Sequence, residues 1–208
     1  DVDHYLQAWE LAIKTYPILR TAFNWDEELI QICYRDGALN YKLHDISDIL
    51  DQETFIVKLQ REDRLHGFDL SEAKLLRLHV IKRSETHYTI LKSEHHSIAD
   101  GWSGPILLNQ VHAYYELLRR GEQPKIGVDQ AYLRMQEYGY QHKEAVTQYW
   151  KEQLKNISVA NDLSSLLTNR VDLNEIRKVN APAEAEYIVE GKQYEVLKRF
   201  TRTHGLTL

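Results

Sequence analysis

Apolar residues recur at helical spacing over residues 2–16, where Tyr5, Leu6, Trp9, Ala12, Ile13 and Tyr16 fall on one stripe. The pattern predicts an amphipathic helix, capped by Asp3 and ended by Pro17, whose ring cannot continue the hydrogen-bond ladder. Residues 19–25 and 29–34 then read as extended segments joined by Asp26-Glu27-Glu28, with a turn at Asp36-Gly37. Cys33 lies in the second apolar run and reads as a core thiol. Residues 39–46 are extended and irregular. Helical spacing returns over residues 52–66, with Phe55, Ile56, Leu59 and Leu65 inward, Lys58, Arg61, Glu62 and Arg64 in solvent, and Gly67 as C-cap.

Residues 75–82 alternate, with Leu76, Leu78 and Val80 on one face, and residues 88–93 alternate again. These two strands form an antiparallel pair that runs into Ser93-Glu94-His95-His96-Ser97-Ile98-Ala99-Asp100-Gly101-Trp102-Ser103-Gly104. A helix follows over residues 105–120. Residues 129–156 read as two helical pieces broken near Tyr138-Gly139-Tyr140, with Tyr132, Met135, Tyr149, Trp150 and Leu154 as core filler. Residues 158–179 lack periodicity and read as a linker, residues 185–189 as a short strand, and residues 193–203 as a helix stopped by Gly205 with Tyr194, Leu197 and Phe200 inward. Helices and strands alternate, so the fold class is α/β, a mixed sheet covered by helices.

The chemistry concentrates at the strand end. If the strand persists to residue 96, His95 and His96 face opposite ways and do not share a role. Asp100 stands one short turn past His96, placed to orient a histidine or to pair with an arginine. Gly101 lets a bare backbone N–H approach a ligand. Diverging histidines chelate a single ion poorly, so a metal site is disfavoured. A structural cluster and a catalytic base both remain open on spacing alone.

Composition narrows the function classes. The net charge of -5 gives no footprint for nucleic acid. No apolar run approaches a membrane span and no signal-peptide pattern opens the chain. One cysteine forbids an internal disulfide, and a reducing, cytoplasmic setting is expected. No glycine-rich phosphate loop supports nucleotide binding.

The run from His95 to Gly101 matches the HHxxxDG signature of condensation domains of nonribosomal peptide synthetases, and Trp102-Ser103 fits the DGWS continuation. Pro17-Ile18-Leu19-Arg20-Thr21-Ala22-Phe23 resembles the RHxxLRTxF motif, with Thr15 and Tyr16 in place of its first arginine and its histidine. Phe68-Asp69-Leu70 followed by Leu75-Leu76-Arg77 resembles FDLxxxPLLR. Tyr132, Gln136 and Tyr149-Trp150 fall where the family has YxDYxxWQ and a later YW pair, with Arg134 and Met135 replacing the Asp and the Trp. The resemblance runs over essentially the whole chain.

It implies a chloramphenicol-acetyltransferase-like lobe over residues 1–157 carrying HHxxxDG, an interlobe linker at 158–180, and the opening of a second similar lobe at 181–208. The activity implied is that of an acyltransferase forming an amide bond in secondary-metabolite or antibiotic biosynthesis. The donor is an acyl or peptidyl thioester on an upstream carrier domain. The acceptor is an aminoacyl group on a downstream carrier domain. Both ride on 4'-phosphopantetheine, and the chain itself binds no cofactor and no metal. The implied partners are those two carrier domains, an adjacent adenylation domain and the remainder of the condensation domain. By the same resemblance His96 is catalytic, and His95, Asp100, Gly101 and Arg20 support it, with Arg20 paired to Asp100. Trp102 and Ser103 contact substrate. Heterocyclization relatives carry DxxxxD instead, and epimerization relatives follow DG differently. Two alternatives stand beside this reading: a free-standing acyltransferase using a soluble acyl thioester, and a silent docking module, which the complete motif disfavours.

Overall fold

The computed structural model describes residues 1–24, 29–157 and 185–208. The chain divides into two compact units, Asp1–Ser158 and Val159–Leu208.

In the first unit, helix α1 (Val2–Thr15) is capped by Asp1, whose side chain accepts from the His4 N–H, rather than by Asp3. Pro17 opens a 3-10 turn, Pro17–Arg20, so Arg20 stands on that turn and not on a strand. Strands β1 (Thr21–Asn24) and β2 (Ile30–Cys33) pair antiparallel. The connection expected at Asp26-Glu27-Glu28 lies outside the described residues. Cys33 is exposed, because only Ile32 of β2 turns partly inward. Gly37 has a steric reason: a Cβ there would stand 2.8 Å from Arg20 Cβ and 3.2 Å from Ile13 Cγ2.

Strand β3 (Asn40–Asp45), which the sequence left irregular, is regular and pairs parallel with β4 (Leu76–Lys82). The crossover between them is α2 (Gln52–His66), with Asp51 capping its start and Gly67, at φ +62°, ending it. Strand β5 (Tyr88–Glu94) pairs antiparallel with β4, in register Leu76↔Glu94 to Lys82↔Tyr88. Strand β4 is therefore central and buried on both faces. Leu76, Leu78 and Val80 pack with Trp9, Ile13, Leu107 and Val111, from α1 and α3 (Ser103–Arg119). On the other face Ile81 packs with Ile46 and with Ile56 and Leu59 of α2. Leu65, expected inward, is exposed.

Helices α4 (Ala131–Gln141) and α5 (Lys143–Gln153) meet at His142, not near Gly139. Neither buries a residue: Met135, Tyr149, Trp150 and Leu154 are exposed, and Tyr132 is half-buried with its hydroxyl bonded to Gln31. The expectation of core filler fails because no described element packs over them.

In the second unit, residues 185–190 form neither helix nor strand, so the strand expected at 185–189 is not found. Helix α6 spans Gly191–Thr203, with Tyr194, Leu197 and Phe200 exposed. The expected linker lies outside the described residues.

Candidate active site

Strand β5 ends at Glu94, one residue before the histidine pair. The His95 backbone N–H donates to Leu75 O at 2.9 Å, which ties the strand end to the residue preceding β4. Residues 96–98 then turn, with Ile98 N–H donating to His95 O at 3.1 Å and its side chain buried. The strand thus stops earlier than the alternation argument required, yet the two imidazoles differ as that argument expected.

His95 is half-buried and held on two sides. Its Nδ1 lies 3.2 Å from the Ser97 backbone nitrogen and 2.9 Å from Ser97 Oγ. A backbone N–H can only donate, so Nδ1 accepts and the ring proton belongs on Nε2. Its ring meets Phe68 edge-on, with centroids 6.3 Å apart. His96 is exposed, and no hydrogen-bond partner for its ring exists among the described residues.

Phe68 is fixed in turn. The Arg77 guanidinium lies 4.6 Å over its ring. Arg77 donates through Nε to Asp63 Oδ1, through one terminal nitrogen to Asp63 O at 3.2 Å, and through the other to Gly67 O at 3.3 Å. Asp63 also accepts from His79 Nε2 at 2.9 Å and from the Ser93 hydroxyl. His79 Nδ1 faces His44 Nε2 at 2.9 Å. Burial works against the Asp63 charge. The hydrogen bonds from Arg77, Ser93 and His79 and the Arg77 charge outweigh it and hold the carboxyl down at about 2. The Phe68-to-Arg77 segment named in the sequence is therefore closed by its first and last side chains. Asp63 was not singled out by the sequence, which read charged positions of this helix as facing solvent. The crossover between parallel strands, which covers that face of the sheet, was the signal.

Asp100 starts α3. Its Oδ1 accepts from the backbone N–H groups of Trp102 at 3.1 Å and Ser103 at 2.8 Å. Ser103 Oγ returns the favour, accepting from the Asp100 N–H at 2.7 Å and lying 3.0 Å from Asp100 O. This has the reciprocal bonding of a capping box, set on the turn before α3, whose first flanking residue Trp102 makes no side-chain cap bond of its own. The bonds from Ser103 and Trp102 hold the Asp100 carboxyl below its usual range.

The structure does not bring Arg20 to Asp100. Arg20 is buried, and its guanidinium donates to Ile13 O and Arg35 O, both at 3.1 Å. The expected pair is corrected on both sides: carbonyls at the end of α1 and after β2 engage the arginine, and the α3 backbone engages the carboxylate. Gly101 is exposed, with nothing within 4 Å of where a Cβ would stand, so the backbone there is open on that side. Trp102 is 86% exposed. Among the described residues no three His, Cys, Asp or Glu side chains converge to hold a metal ion. No described helix is long and apolar enough to cross a membrane.

The arrangement is a solvent-facing imidazole on a turn whose neighbours are immobilised. Such a group can accept a proton from a ligand, or anchor it, without being displaced.

A family model described as "Condensation domain" matches residues 1–207. The chain is 38% identical over 167 residues to N-(5-amino-5-carboxypentanoyl)-L-cysteinyl-D-valine synthase of Amycolatopsis lactamdurans, covering 78% of this chain and 5% of that protein. It is 29% identical over 214 residues to the enzyme of the same name from Penicillium rubens, covering 99% of this chain and 6% of that protein. It thus spans about a twentieth of the length of these relatives. The starter condensation domain of rhizomide synthetase superposes with a TM-score of 0.67 at 19% identity, over 78% of this chain and 42% of that one. That likeness shows the fold, the chloramphenicol-acetyltransferase-like lobe expected above.

Proposed function

The chain belongs to the condensation-domain family of nonribosomal peptide synthetases, and from that membership we propose that it forms an amide bond between two carrier-bound substrates. The donor is an acyl or peptidyl thioester on the phosphopantetheine arm of an upstream carrier domain. The acceptor is an aminoacyl group on a downstream carrier. The relatives described above are named for a tripeptide product, and only the class of bond is carried over from them. An adenylation domain that charges the carriers completes the set of partners, and the setting is the cytoplasm.

The acceptor nitrogen attacks the thioester carbonyl. The tetrahedral oxyanion collapses to the amide, and the pantetheine thiolate leaves and takes up the proton lost by nitrogen. His96 accepts that proton, or holds the nitrogen by a hydrogen bond while it departs. The Gly101 N–H is a donor for the oxyanion. His95, fixed by Ser97 and Phe68, positions the turn, and Asp100 orients α3 rather than relaying protons.

The observation that carries this reading is the contrast, inside a complete HHxxxDG sequence, between a pinned His95 and an exposed His96 without a ring partner among the described residues. The test is a condensation assay with two charged carrier proteins. His96→Ala is expected to lower the rate about a hundredfold. Near-normal turnover in that variant refutes the assignment. Turnover with a soluble acyl thioester and no carriers would mark a free-standing acyltransferase instead.

A further inference from the structure

The cluster around Asp63 holds titratable groups that the amide-forming steps do not use. His79 Nε2 lies 2.9 Å from Asp63 Oδ1. An ionised carboxylate only accepts, so the His79 ring proton sits on Nε2 and its Nδ1 is bare. That Nδ1 accepts from His44 Nε2 at 2.9 Å. The remaining nitrogen, His44 Nδ1, has no hydrogen-bond partner among the described residues. In this state the charges balance: Asp63 is negative, Arg77 positive, and both imidazoles are neutral.

A further proton enters at His44 Nδ1. His79 of β4 stacks on the His44 ring with centroids 5.1 Å apart, and Phe55 of α2 meets it edge-on at 6.0 Å. Asp63 of α2 stands beyond His79, and Lys42 adds a positive charge from the same strand as His44. Burial, His79 and Lys42 all oppose a charge on His44, so its ring is neutral at neutral pH. Protonation there leaves an excess positive charge on a cluster whose Asp63, Arg77 and His79 are almost fully buried.

Two links join that charge to the histidine turn. Asp63 Oδ1 receives both the His79 Nε2–H and the Arg77 Nε–H, so a positive imidazole pair strengthens the first bond at the expense of the second. The Arg77 guanidinium lies over Phe68, whose ring meets His95 edge-on. The other Asp63 oxygen accepts from the hydroxyl of Ser93, two residues before His95.

We propose that this cluster positions the histidine turn for the reaction, with Phe68 as its point of contact and His44 as the group whose protonation slackens it. The inference rests on the amide-forming reading above. His44, His79 and Phe68 are positioning residues, acting through His95.

The test is the pH dependence of kcat in the complete polypeptide with both carriers charged. Titration of His96 and of the acceptor amine is common to parent and variant, so the ratio of their rates isolates His44. His44→Gln keeps an N–H for His79 Nδ1 and takes up no proton. Its kcat relative to the parent is expected to rise about threefold between about pH 7.5 and about pH 5.5, within the range for coupling through a contact network, with KM following the parent. Phe68→Leu is expected to lower kcat about fivefold at unchanged KM, and Phe68→Tyr to restore it. In the Phe68→Leu background the effect of His44→Gln should no longer vary with pH. Melting temperature at each pH checks that the proteins compared are folded. A His44→Gln ratio that is flat with pH, or one that rises equally in the Phe68→Leu background, overturns the positioning role and leaves the amide-forming reading standing. No turnover by the unaltered protein at any pH sinks that reading and this inference with it.

Discussion

Two polar groupings sit at the same end of the β4–β5 ladder and differ in one respect. On the α2 side, Asp63, Arg77, His79, Ser93 and His44 form one connected set of hydrogen bonds centred on the Asp63 carboxylate. Two residues beyond Ser93 the ladder gives way to the motif turn, where His95 is bonded and the His96 ring has no partner among the described residues. Asp63, Arg77 and His79 are almost fully buried, whereas His96 is exposed. A charge network that is complete has nothing left to offer a ligand, and its role is to hold strands and helix together. An imidazole left open beside rigid neighbours has its chemistry in reserve. The number of uncommitted hydrogen-bond sites, rather than the presence of His, Asp or Arg, separates the scaffold from the site.

The comparison breaks most easily at Asp63. Asp63→Ala leaves the Arg77 guanidinium buried without its anion and is expected to cost about 3–5 kcal/mol of folding stability. Urea unfolding followed by circular dichroism measures it. A variant as stable as the parent would show that the network does not hold the sheet to α2. His96→Ala is the mirror experiment. It should remove about a hundredfold of rate while leaving the unfolding midpoint in place, because no described group loses a bond. A large fall in stability there would turn the open imidazole into another structural histidine.

Much of this was legible before the structure, and the misses share a cause. Helix α2 was read to its terminal residues because its apolar spacing, Gly67 and outward charges agree. The strand pair was read from alternation, and the motif at its end from its resemblance to HHxxxDG. Alternation put Leu76, Leu78 and Val80 on one face and gave no environment for Arg77 and His79 on the other, although β4 is covered on both faces. Local pattern does not say whether a second layer lies over the polar face of a strand. The same gap misplaced Met135, Tyr149 and Trp150, whose spacing announces a buried stripe that the described residues do not cover. The Arg20–Asp100 pair failed for another reason. Each side chain has nearer backbone partners, and complementary charge is no guide to which partner is nearest.

Acid titration sharpens the comparison further. The Asp63 carboxyl is held at about 2 in the folded protein, against 3.8 for the ordinary group. The unfolded chain therefore binds the proton first, so this contribution is whole above pH 3.8 and is lost as pH falls towards 2. His44 is shifted downward by burial, by His79 and by Lys42. Its contribution is likewise complete above 6.5 and begins to fall below that pH. Stability measured from pH 7 to pH 2 should decline in two stages, the first missing in His44→Gln and the second in Asp63→Asn. A decline unchanged in both variants would mean that other carboxylates govern acid unfolding.

The smallest expected effect tests where Asp100 belongs. Its side chain is exposed and its bonds are those of a helix cap, which places it with the scaffold despite its position in the motif. Asp100→Ser keeps an oxygen able to accept from the Ser103 N–H, and so should melt close to the parent. Asp100→Ala removes the cap, and should lower the melting temperature by about 2–4 °C. Since α3 carries the turn's far end, the rate should fall with the cap and recover with serine. Loss of activity in Asp100→Ser at unchanged melting temperature would show that the carboxylate itself takes part in the chemistry. The division between committed scaffold and open site would then have to be redrawn around two residues instead of His96 alone.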